Sequence, residues 1–223
     1  MRRAIIACKV LEAELRRLLP PEVEIRSVDQ GLHRVPDRLR EALQQEIDSL
    51  DADEILLGYG LCGNGVSGLR SQRSRLVVPR ADDCISLFLG SAERYLVEFQ
   101  KEPGTYWFSH GWIEHAIDPL KEYHRCVEQY GEETARWVAH EMMKGYHRVA
   151  LIDTGVCPVS ELREYSRRFA EFFGLEYVEV TGSDGFLREL ISDGVRNGRF
   201  VVAEPGEAIS PEAFQQPLGT ANL

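Results

Sequence analysis

Short apolar runs alternate with helical stripes along most of the chain. Residues 3–8 (RAIIAC) read as a short buried strand. Residues 9–19 carry apolar side chains at 10, 11, 15, 18 and 19, one face of a helix that Pro20 and Pro21 end. Residues 22–28 (EVEIRSV) alternate as a strand does, Gln30 to His33 turn, and 36–50 form a helix. Pro36 stands near the start of that helix, where a missing N–H is harmless. Residues 54–59 (EILLGY) and 75–79 (RLVVP) are buried strands, separated by the most glycine-dense stretch of the sequence, Gly60 to Gly68. A helix follows over 84–100, with Asp82 or Asp83 as its cap.

The second half keeps the rhythm with longer helices. Residues 103–112 (PGTYWFSHGW) form an aromatic-rich strand or loop, and 113–145 are largely helical with a break at Gly131. Strands are predicted at 147–152, 175–180 and 199–203, and helices at 159–173 and 184–194. Such alternation implies an α/β fold, a mostly parallel sheet flanked by helices in a Rossmann-like arrangement. One domain is predicted over 1–205, divisible into sublobes 1–102 and 146–205 joined by the helical stretch 103–145. The Gly-, Pro- and polar-rich segment 206–223 reads as a loosely held tail.

Composition narrows the job more than the fold. The chain has 223 residues and a net charge of -10, which argues against a nucleic-acid or anionic-membrane surface. No apolar run reaches the roughly 18 residues that a membrane span needs. The start, Met1-Arg2-Arg3 followed by Ala4 to Ala7, is charged and then apolar as in a signal peptide, but Lys9, Glu12 and Glu14 interrupt it early. A cytoplasmic protein handling a small-molecule substrate or a protein partner is expected. Five cysteines in that setting are thiols or ligands rather than structural disulfides.

Placement gives three of those thiols their interest. In open parallel sheets ligands bind beyond the carboxyl ends of the strands. Cys8 closes the first predicted strand, Cys62 follows the third, and Cys84 follows the fourth, so all three face one edge of a parallel sheet. Thiolates suit zinc and iron–sulfur clusters, and a three-thiolate set leaves one coordination position open. His33, after the second strand, would complete a Cys₃His tetrahedron. Arg80 and Asp83 are candidates for substrate charge or catalysis, and Asp82 is more simply a helix cap. The competing reading is that buried cysteines merely fill a core. No CxxC pair is present, Cys157 also follows a strand, and Cys126 lies within a helix.

Gly58-Tyr59-Gly60-Leu61-Cys62-Gly63 matches GxGxxG directly after a strand. The next strand begins about twelve residues past Gly63, and the span between is too rich in glycine and serine for a full crossover helix. The loop is better suited to a close backbone approach to a cofactor, with Gly60, Gly63, Asn64 and Gly65 as contacts and N–H groups forming a nest. Nucleotide binding through the same loop is the alternative. His140-Glu141 is not the start of HExxH, because Lys144 stands where the second histidine belongs.

The runs LLGYGLCGNGVSGL, VVPRADDCISLFLGS and PGTYWFSHGWIE, with the opening IIACKVLEAEL and the segment GLHRVPDRLREAL, resemble the domain-of-unknown-function 1638 family over roughly residues 3–205. The resemblance implies no settled activity. It implies company with corrinoid-dependent methyltransferases for methylamine-type one-carbon compounds, and motif positions at Cys8, His33, Cys62 and Cys84. The expectation is therefore a metal-binding protein of one-carbon metabolism with a zinc ion or [4Fe–4S] cluster. A non-catalytic accessory that binds a corrinoid protein is the alternative.

Overall fold

The computed structural model describes residues 2–192 and 198–215. In chain order it runs β1 (Arg3–Cys8), a 3-10 turn (Lys9–Leu11), α1 (Glu12–Leu18), β2 (Ile25–Val28), a second 3-10 turn (Gln30–Arg34), α2 (Pro36–Ser49), β3 (Glu54–Gly58) and β4 (Arg75–Pro79). Then come α3 (Ile85–Leu89), α4 (Ala92–Lys101), β5 (Thr105–Phe108), α5 (His110–His115), α6 (Pro119–Tyr130), α7 (Glu132–Met142) and β6 (Arg148–Asp153). The chain finishes with α8 (Val159–Phe173), β7 (Glu176–Thr181), α9 (Gly185–Ile191), β8 (Phe200–Ala203) and α10 (Glu212–Gln215).

These elements form two compact units, Met1–Tyr95 with Ser183–Leu223, and Leu96–Gly182. The first holds a five-stranded sheet in the order β2-β1-β3-β4-β8. Its first four strands are parallel, and β8 pairs antiparallel with β4. The strands β1, β3 and β4 are buried almost throughout, as their unbroken apolar runs require when both sheet faces are covered. The edge strand β2 buries only Ile25 and Val28. Helix α2 buries Leu39, Leu43 and Ile47, spaced one turn apart, and Pro36 occupies its first turn. At the amino end of the sheet the buried Glu54 carboxylate is held by Arg3 Nε at 2.8 Å and faces Arg75 at 3.8 Å.

The second unit holds the parallel three-stranded sheet β5-β6-β7. Phe169 on α8 is its hub, with ring centroids 4.9 Å from Phe108, 5.1 Å from Tyr106 and 4.7 Å from Phe173. Asp118 caps α6 by accepting from the N–H groups of Leu120 and Lys121, and also accepts from the Tyr165 hydroxyl at 2.6 Å.

The α/β class and the mostly parallel sheets agree with the sequence pattern. The lobes divide elsewhere than 1–102 and 146–205: the second unit is inserted between β4 and β8, and the chain returns to complete the first sheet. The helix predicted over 84–100 is two helices, because Gly90 at φ 92° ends α3 in the left-handed region. Residues 206–209 are not loose. Gly206 N donates to Ser71 O and Ile209 N to Leu69 O, both at 2.8 Å, and Ile209 is buried. The end of the helix predicted over 184–194 and the tail from 216 lie outside the described residues. Among the described residues no helix is long and apolar enough to cross a membrane.

Candidate functional site

Cys8 is the last residue of β1 and pairs with Val28 of β2. On its other side Ala7 pairs with Gly58 of β3, so one further step sets Cys8 beside Tyr59. Gly58 is required there, since an added Cβ would lie 2.7 Å from the Ala7 Cβ. Beyond the strand ends, the chain after β3 stays joined to the chain after β4. Leu61 N donates to Ala81 O and Cys62 N to Asp82 O, each at 2.8 Å. Gly60 lies against this second segment so closely that a Cβ would meet Ala81 O and Asp83 N at 2.7 Å. Two backbone bonds and one glycine thus fix Cys62 against the segment that leads into Cys84.

The backbone then turns through an uncommon conformation. Cys62, Gly63 and Asn64 are all left-handed, with φ of 47°, 62° and 73°. A β-carbon-bearing residue pays roughly 1–2 kcal/mol to sit there, so Cys62 holds its place at a cost that surrounding contacts must offset. Gly65 N donates to Cys62 O at 3.1 Å, and Gly65 packs on Leu39 of α2. Arg40 of the same helix donates to Ser67 O at 2.7 Å and to Asn64 O at 3.0 Å.

Tyr59 follows directly on β3, beside Cys8. It is 2% exposed, and its hydroxyl has no hydrogen-bond partner. Burial pushes that phenol well above its ordinary pKa, and the neighbouring Cys8, Cys62, Cys84 and Asp29 push it further in the same direction. Burial also pushes the Cys8 thiol up to about 11, against the pull of the Val10 and Lys9 N–H groups. Cys62 is pushed up to about 12, again by burial first, with Cys8 and Asp83 adding to it and the Gly60 backbone opposing. Asp83 accepts from Ile85 N at 2.9 Å, and burial lifts its carboxyl to about 6. Among these groups each negative charge opposes the others, so the Cys8 and Cys62 thiols rest in their neutral form. A cation placed among them reverses that balance, because coordination deprotonates a thiol outright.

The remaining candidates fall as follows. His33 lies in the 3-10 turn after β2, its Nδ1 against the Gln30 carbonyl and 3.2 Å from Gln30 Nε2. Arg80 donates its backbone N–H to Arg199 O, and its buried Nε has no hydrogen-bond partner. The close approach permitted by Gly60 and Gly65 is an approach to protein, and the N–H groups of Leu61, Cys62, Gly65, Ser67 and Gly68 already donate to protein carbonyls. Of the four residues named as cofactor contacts, Gly65 has its N–H engaged in this way. Cys126 and Cys157 belong to the second unit, where they pack with its own core. Among the described residues, no group of three or more His, Cys, Asp or Glu is drawn into a ready metal-ligand set as the side chains stand.

Sequence reading missed two members of the cluster, Tyr59 and Asp29. Tyr59 had a signal: it ends an otherwise apolar run, and a buried phenol ordinarily needs a partner. Asp29 had none beyond its place after β2, where it also accepts from Gly31 N at 2.7 Å.

A family model described as "Protein of unknown function (DUF1638)" matches residues 27–191. The chain belongs to the DUF1638 family. The stretch matched to DUF1638 contains His33, Tyr59, Cys62, Asp83 and Cys84, and Cys8 precedes it. No curated protein and no solved structure matches the chain.

Proposed function

We propose that this DUF1638 protein is a metal-binding protein in which Cys8, Cys62 and Cys84 hold a zinc ion or a [4Fe–4S] cluster. The observation that supports it best is that adjacent parallel strands, with the joined chains after β3 and β4, carry the positions of Cys8, Cys62 and Cys84 to one sheet edge beside a buried, unpartnered phenol. A core needs none of this: apolar side chains would fill the space without leaving an unsatisfied hydroxyl. Three thiolates leave a fourth position for His33, water or substrate. With zinc, that position would polarise a bound water or thiol; with a cluster, the iron lacking a thiolate would act as a Lewis acid.

The expected setting is the cytoplasm, where the five free cysteines would stay reduced. The proposed role is in corrinoid-linked one-carbon metabolism, on a small-molecule substrate or a corrinoid protein. Metal analysis of anaerobically purified protein tests the reading. About one zinc per chain, or iron with equal sulfide and a brown colour, is expected. Cys62→Ala and Cys84→Ala should each lose most of it while keeping the wild-type circular dichroism spectrum. Unchanged metal content in both variants would overturn the assignment.

A further inference from the structure

The parallel register of β7 decides which of its backbone groups are used. Glu176 N donates to His147 O, and Gly182 N donates to Asp153 O. Between those bonds the pairing with β6 runs unbroken, from Arg148 with Glu176 to Asp153 with Thr181. In a parallel ladder alternate residues turn both N–H and C=O toward the same neighbour. Glu176, Val178 and Val180 therefore serve β6, and Tyr177 and Glu179 aim theirs away from it. β7 is the last strand of its sheet, and among the described residues no backbone group takes up the outward N–H or C=O of Tyr177 or Glu179. The opposite edge of the sheet is covered: β5 buries Thr105, Trp107 and Phe108, whereas no residue of β7 is buried. An open edge is a template for another strand, and proteins ordinarily blunt one with proline, lysine or a bulge. The six-residue β7 (EYVEVT) has none of these. Its central charge, Glu179, is neutralised by Arg163 at 2.6 and 2.8 Å, and Arg167 lies 5.3 Å over the Tyr177 ring.

We infer that the open edge of β7 pairs with the same edge of a second copy of this chain, antiparallel about a two-fold axis at Val178. Centring the axis there sets Tyr177 against the partner's Glu179. Those are the positions with open backbone groups, and each such pair exchanges both N–H···O=C bonds. Val178 meets the partner's Val178 on the other face, at the closer spacing of a pair without hydrogen bonds. An axis at Glu179 would instead oppose like charges, which is destabilising. Charge also selects the occupant. The chain carries a net charge of -10, so two copies repel on average. At this edge the acids Glu176 and Glu179 are matched by Arg163 and Arg167, and the patch is its own complement. The pairing makes one continuous sheet from two three-stranded ones and is independent of the thiol site.

Light scattering on the purified full chain, with residue-resolved amide hydrogen exchange, tests the pairing. Wild type should be a dimer. The Tyr177 and Glu179 amides should exchange slowly in the dimer and fast in monomer obtained by dilution, while the Val178 amide, bonded to β6, stays protected in both. Val178→Lys places like charges on the axis and should weaken association at least about tenfold, with an unchanged circular dichroism spectrum. Should that variant misfold, the exchange pattern of the wild type decides alone. A wild-type chain that is monomeric at every concentration overturns the pairing. So does a dimer whose Tyr177 and Glu179 amides still exchange fast, or one that folded Val178→Lys leaves intact. Protection of those two amides only on addition of a different protein would overturn the second copy as the occupant.

Discussion

In the first unit the strands β1, β3 and β4 run out into Cys8, Tyr59 to Cys62, and the approach to Cys84. In the second unit β5 and β6 run out into Ser109 and Asp153. Both are carboxyl ends of parallel strands, the usual place for a ligand in such sheets. Their polar groups are used differently. Ser109 caps α5 by accepting from Trp112 N, and Asp153 accepts from Gly155 N at 2.9 Å, so each serves the backbone beside it. Around Tyr59 the cysteines instead follow neighbouring strands, and the phenol has no hydrogen-bond partner. Topology offers an edge, and only the chemistry of the strand-end side chains turns it into a candidate site.

The comparison breaks most visibly if the cysteines prove to be packing residues. Phe169→Ala, at the hub of the second core, should cost about 3–5 kcal/mol in urea unfolding. Cys84→Ala in metal-free protein should cost about 1 kcal/mol, the worth of one small buried group. Comparable losses in the two variants would make the thiols ordinary core.

Two glycines sharpen the contrast at the next level. Gly60→Ala drives a methyl into the Ala81 carbonyl and the Asp83 amide, both backbone, so about 2–3 kcal/mol and most bound metal should be lost. Gly174→Ala, in the left-handed cap of α8, meets nothing within 4 Å and should cost only about 1 kcal/mol of backbone strain. Denaturant midpoints with metal content separate the cases. Equal costs with metal retained would mean that the contact between the two loops does not hold the site.

The smallest perturbation leaves the fold intact. Only the thiolate reacts with iodoacetamide, and Cys8 and Cys62 are pushed up to about 11 and about 12. Both stay protonated at neutral pH, so alkylation of these two residues in the metal-free protein should be slow there and rise about tenfold per pH unit toward 11. Mass-mapped labelling of Cys8 or Cys62 complete within minutes at pH 7 would contradict this.

Much of the architecture was legible because β1, β3 and β4 carry unbroken apolar runs, which only doubly covered strands need. The common edge of Cys8, Cys62 and Cys84 followed from parallel alternation alone. The partner of β8 was not legible. Its run RFVVA reads like the others, and nothing local says that it pairs back to β4 across an inserted unit. Ile209 escaped notice because one apolar residue in a polar segment has no period. The left-handed turn at Cys62 was invisible for a similar reason: glycines at 60, 63 and 65 advertise freedom, but nothing marked the cysteine among them. Tyr59 took its meaning from neighbours on other strands.

The late arrival of β8 has a consequence for synthesis. A ribosome releases the whole of 96–182 before it makes the strand that finishes the earlier sheet. Until then β4 is an open border, with the backbone groups of Leu76, Val77 and Val78 bare to any passing strand. A nascent chain stalled or clipped near residue 182 would therefore be sticky, and the cell's folding helpers would meet this protein at that border first.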